Sequence, residues 1–115
     1  MGAASRSGLA HWWAQRTSAI ALVPLSLWFV AALVAHTGAS HADVVAWLGA
    51  PLPAILTTLM IAATFYHAML GLEVVIEDYV HDAGMRIASI LVVRFGCIGF
   101  AVAGVFAVLR IAFSS

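Results

Sequence analysis

Three long apolar runs, at residues 17–36, 52–76 and 86–113, decide what this chain can fold into. Each matches or exceeds the ~20 residues a helix needs to cross a hydrocarbon core. Inside that core every backbone N–H and C=O must be paired within its own segment, which makes each run a helix. Composition agrees: hydrophobic residues make up 64% and charged residues 9% of the 115 residues. A water-soluble domain of that size would have far too much apolar surface to bury. The expected fold class is therefore all-α integral membrane, a single membrane-anchor domain over residues 1–115. It has three transmembrane helices and a short N-terminal interfacial helix.

The interfacial helix is expected from His11, Trp12 and Trp13, just ahead of Arg16. Indole rings beside an arginine suit the headgroup layer, where the ring is half buried and its N–H stays wet. The first apolar run starts only after Arg16 and reaches full spanning length, unlike a cleaved signal peptide. Pro24 removes one backbone donor inside it, a place for a kink. The loop at 37–51 carries His41, Asp43 and Trp47 but no Lys or Arg, whereas Arg6, Arg16 and Arg86 fall on the other side. The positive-inside rule puts the N-terminus and the second turn in the cytoplasm, with Arg110 weakening the count without reversing it. Net charge is zero with His neutral, so no basic patch argues for nucleic acid. The single Cys97 has no intrachain disulfide partner and reads as a small buried hydrophobe.

Chemistry concentrates in HAMLGLEVVIEDYVH at 67–81. On a helix, His67, Gly71, Val74 and Asp78 share one face. An intramembrane His has two readings: a hydrogen bond across a helix interface, or axial ligation of a haem, with Gly71 one turn on permitting close approach. A second imidazole on the same iron is hard to find. His11 and His81 lie outside the apolar runs, His36 lies at the far end of the first, and His67 is roughly 22 Å from that surface. Met69 points away from the His67 face. A six-coordinate haem would have to be shared with another polypeptide. Asp78 and Tyr79 follow about 16 Å beyond His67. They suit either a solvated acidic turn or a quinone site in which the phenol donates to a carbonyl and the carboxylate orients a partner or passes protons. Arg16 either anchors a helix end or meets a haem propionate. Arg94, inside the third run, either snorkels or pairs with an acidic group of another subunit or lipid. Gly71, Ala63, Gly99 and Gly104 are expected points of close helix packing.

The pattern His67-Ala68-x-x-Gly71-x-x-x-Val75-x-x-Asp78-Tyr79-Val80, with Arg16-x-x-Ala19 opening the first run, resembles the hydrophobic membrane anchor subunits of succinate dehydrogenase, respiratory complex II. The opening HWWAQRTSAIALVPLSLWF is similar to their alphaproteobacterial and mitochondrial-type branch. The resemblance implies half of a six-helix anchor bundle, formed with a sister three-helix anchor subunit, on which an iron-sulfur subunit and a flavoprotein subunit dock. It implies that His67 is one axial ligand of haem b and that the other comes from the sister chain. Tyr79 would then hydrogen-bond ubiquinone, Asp78 would support that site, and Arg16 would approach the propionates. It also implies a bacterial inner membrane more readily than a mitochondrial one. With no flavin glycine motif and no cysteine cluster, such a chain would not oxidise succinate alone. A fumarate reductase-type anchor and a haem-independent structural anchor are the alternatives. A small proton-coupled transporter would be expected to have four spans and a mid-membrane carboxylate; here Glu73, Glu77 and Asp78 lie towards a helix end.

Overall fold

The computed structural model describes residues 3–114, with side chains from Gly8 to Ser114. The chain forms helices α1 (Ala3–Ala35), α2 (His41–Leu48), α3 (Pro51–Tyr79) and α4 (Ala83–Phe113), with no strand among the described residues. Gly8–Ala35, Pro51–Tyr79 and Ala83–Phe113 are each long and apolar enough to cross a membrane, at 28, 29 and 31 residues. All exceed the ~20-residue minimum, which allows for tilt or for helix ends that protrude.

The all-α, three-span class is as expected, but the N-terminal segment is not a separate helix. It runs without a break into the first span, and Pro24 lies inside the same element. The physical reason is local: from Leu9 to Ser18 the chain offers no Gly or Pro to stop a helix. The side chain of Arg6, counted above towards orientation, lies outside the described side chains.

The other boundaries follow familiar chemistry. After α1, Gly38 adopts φ 83°, the left-handed conformation a glycine takes without steric penalty. The loop expected at 37–51 contains α2, capped by Ser40, whose hydroxyl accepts from the Asp43 backbone N–H at 3.1 Å. Its Trp47 stacks on Trp28 at 5.9 Å between centroids and lies 4.4 Å from His36, tying the loop to the far end of α1. A proline at the start opens α3, where the missing N–H costs nothing. Asp82 caps α4, its carboxylate accepting from the Met85 N–H at 2.9 Å. The turn between them, 80–82, is further held by Arg86, whose Nε donates to the Val80 carbonyl at 3.0 Å.

Helix α3 is the middle of the arrangement, packed on both α1 and α4, while α1 and α4 do not meet. Of the glycines expected at close contacts, Gly104 lies against Ile61, where a Cβ would come within 3.1 Å of the side chain. Gly71 faces the Gln15 amide of α1 at an ordinary 3.7 Å. Gly99 has nothing within 4 Å among the described residues, so it makes no close contact with them. Gly49, which the pattern did not single out, meets backbone instead: a Cβ there would lie 3.2 Å from the Ile111 carbonyl oxygen.

Little of the chain is buried. Ala54, Leu70 and Val108 form the apolar core, and Ser18, Thr57 and Glu73 are the buried polar residues. Large apolar side chains such as Ile20, Leu27, Val92, Phe95 and Phe100 stand exposed along all three long helices, a surface for lipid or other polypeptides rather than water.

Candidate functional site

The three groups on α3 that stand out in the sequence each sit differently. His67 is half-buried and faces α1, with its Nδ1 2.9 Å from the Ser18 Oγ. Ser18 is buried at 6% exposure, and its hydroxyl donates to the Gln15 carbonyl at 3.0 Å within α1. No hydrogen bond to the other ring nitrogen, Nε2, exists among the described residues. Asp78 and Tyr79 are exposed in the last turn of α3, Tyr79 at 78%. By helix geometry Asp78 stays on the His67 face roughly 16 Å further along, whereas Tyr79 is turned roughly 120° from it.

Arg16 lies exposed, its guanidinium 5.5 Å from the centre of the Trp12 ring, a cation–π contact of the kind expected in a headgroup layer. It is two residues before Ser18 and so roughly 160° around α1 from it. The structure therefore brings Ser18 to His67 and leaves Arg16 on the other side of the helix.

The partner of Arg94 is found within the chain. Its Nε donates to Oε1 of Glu73 in a salt bridge from α4 to α3. Snorkelling and pairing occur together: Arg94 sits roughly 16 Å past the start of α4 and Glu73 roughly 9 Å before the end of α3, so the side chain must reach back towards the turn. The Glu73 side chain is 6% exposed and that of Arg94 56%. His11 Nε2 from α1 approaches the other carboxylate oxygen at 3.9 Å. Glu73 thus lies where all three long helices contribute a polar side chain, and the pattern missed it. The signal was present as one acid and one base at comparable depth in adjacent, antiparallel spans.

No set of three or more His, Cys, Asp or Glu side chains among the described residues is grouped to hold a metal ion. A single half-buried imidazole with one ring nitrogen unused does fit the needs of an axial haem ligand. On one side of α3 an open groove of about 800 Å³ separates α1 from α4, lined by small residues including Ala14, Ala21, Ala63 and Ala101.

Comparisons with known proteins agree with this architecture. The family model for succinate dehydrogenase/fumarate reductase transmembrane subunits matches residues 2–106. The succinate dehydrogenase hydrophobic membrane anchor subunit of Rickettsia bellii (strain RML369-C) is 37% identical over 91 residues, covering 78% of this chain and 72% of that protein. The corresponding subunit of Paracoccus denitrificans is 32% identical over 92 residues, 80% and 71% of the two chains. The succinate dehydrogenase membrane anchor subunit of Reclinomonas americana is 34% identical over 93 residues, 78% of each. No solved structure matches. Three spanning helices in a chain that buries little of itself, together with a family match over nearly its whole length, place it plainly: the chain belongs to the succinate dehydrogenase/fumarate reductase transmembrane subunit family, among the hydrophobic membrane anchor subunits of succinate dehydrogenase.

Proposed function

We propose that this anchor subunit holds haem b jointly with a sister anchor subunit and contributes to the site where ubiquinone is reduced. The observation that carries the reading is His67, a half-buried imidazole on a spanning helix with one nitrogen unengaged. Membership of a respiratory dehydrogenase family supports a redox role for that helix. Haem bound there supplies a one-electron redox centre within the membrane. In this chain His67 would hold the haem through its free ring nitrogen, and a second ligand would come from the sister subunit. Arg16, with its exposed guanidinium, is the propionate partner in this arrangement, approached from outside the α1–α3 contact.

Ubiquinone as substrate takes up two electrons and two protons. Tyr79, exposed at the end of α3, donates a hydrogen bond from its phenol to a quinone carbonyl, which stabilises the oxygen as negative charge builds on it. Asp78, exposed beside it, supports the site by orienting a partner cation or passing a proton. The N-terminus and the 80–82 turn lie on the cytoplasmic side of a bacterial inner membrane, where the iron-sulfur and flavoprotein subunits dock. Electrons arrive from the iron-sulfur subunit, and this chain alone does not oxidise succinate. The succinate-oxidising direction, rather than that of a fumarate reductase, is supported by the names of the relatives.

A second reading has its own support. The Ser18–His67 hydrogen bond already joins α1 to α3, which is all that a haem-independent anchor asks of His67. The visible spectrum of the dithionite-reduced complex separates the two. In His67→Leu, with assembly verified, the b-type bands are expected to vanish or shift clearly; unchanged bands would leave His67 as a packing residue.

A further inference from the structure

A serine hydroxyl carries one proton and two lone pairs. The Ser18 hydroxyl lies 3.0 Å from the Gln15 carbonyl, which can only accept, and a proton given there leaves the lone pairs of Ser18 for His67. The 2.9 Å approach of His67 Nδ1 to the same oxygen is then a hydrogen bond only if Nδ1 carries a proton and donates. The opposite tautomer would place the ring proton on Nε2, where no acceptor exists among the described residues, and an unpaired donor in an apolar setting is costly. With Nδ1 protonated, the His67 Nδ1–H and the Ser18 O–H are both used, and the ring's open position is the Nε2 lone pair.

We infer that Ser18 is a positioning residue for His67: it holds the imidazole in the tautomer that exposes the Nε2 lone pair, fixes the ring plane, and raises the donor strength of that nitrogen. The inference rests on the haem reading above. A hydrogen bond from Nδ1–H increases electron density on the coordinating nitrogen, which favours ferric over ferrous iron. Ser18 therefore lowers the midpoint potential of the haem and slows its loss. A buried hydroxyl on a spanning helix otherwise needs only its own i−3 carbonyl; the second contact, to a histidine 49 residues away in sequence, is what the ligand role uses.

The test compares Ser18→Thr with Ser18→Val, two substitutions of nearly equal shape that differ in the hydroxyl. Ser18 borders the open groove beside α3, which gives either added methyl somewhere to go. Purified whole complex is titrated optically between oxidised and reduced haem, and the ferric electron paramagnetic resonance spectrum and the rate of haem transfer to apomyoglobin are recorded. Ser18→Thr is expected to stay near the wild type. Ser18→Val is expected to keep the b-type bands, move the potential upward, alter the ferric spectrum, and lose haem about tenfold faster. Equal potentials, spectra and transfer rates in the two variants, with the bands lost in His67→Leu, overturn the role of Ser18 alone. Bands that persist unchanged in His67→Leu overturn the haem reading and this inference with it.

Discussion

Tyr79 and His67 are separated by twelve residues and by very different surroundings, one nearly free of neighbours and the other held against α1. In the proposed quinone site, removing the Tyr79 hydroxyl would therefore take away a hydrogen bond to substrate and no side-chain contact among the described residues. Tyr79→Phe is expected to raise the KM for ubiquinone about fivefold, the worth of about 1 kcal/mol. Haem bands and assembly should be unaffected, and steady-state quinone titration with succinate as donor measures the change. An unaltered KM would take the phenol out of the quinone site. His67, Asp78 and Tyr79 stood out in sequence as candidates because each is a polar residue within or at the end of an apolar run, where lipid makes polarity conspicuous. Ser18 was not. A hydroxyl on a spanning helix is ordinarily satisfied by its own helix, and only the approach of α3 reveals its second bond.

At the scale of the helices, the Arg94–Glu73 bridge fastens α4 to α3, and His11 brings α1 to the same carboxylate. Breaking such a pair from one side leaves the buried acid without its cation, whereas replacing both members by apolar residues removes the desolvation cost together with the attraction. Arg94→Ala is expected to lower the thermal inactivation midpoint of the assembled complex more than the double variant Arg94→Met with Glu73→Leu does. A double variant less stable than the single one would mean that the pair contributes more than mutual neutralisation. The spans were readable because apolar runs have local causes, whereas α2 inside the expected 37–51 loop was not read, although its Ser40 cap is local too. The continuity of α1 was hidden, since the aromatic and arginine residues that mark an interface say nothing about whether a helix stops there. Gly49 was missed because its tight neighbour, Ile111, is remote in sequence.

Taken whole, the molecule is an open layer of helices rather than a closed bundle: α3 lies between α1 and α4, which do not touch. Its exposed apolar faces agree with a subunit whose surroundings are lipid and other chains. The class could be read from composition, but the order of the helices in space could not, because runs that are apolar on every side have no single face to pair. That order has a consequence for synthesis. A chain that enters the membrane N-terminus first has α1 and α3 there before α4 arrives, so the Ser18–His67 pair can be complete while Glu73 still lacks Arg94. An acid without its cation is held near the aqueous boundary. In Cys97→Ser chains that keep Glu73 and are tethered to the ribosome by a long spacer appended after Asp82, a cysteine placed at the neighbouring Val74 should react readily with a membrane-impermeant maleimide, and inclusion of α4 should protect it; equal labelling of both would argue against the late capture. The last span to arrive is then a latch, drawing an already joined α1–α3 pair to its final depth.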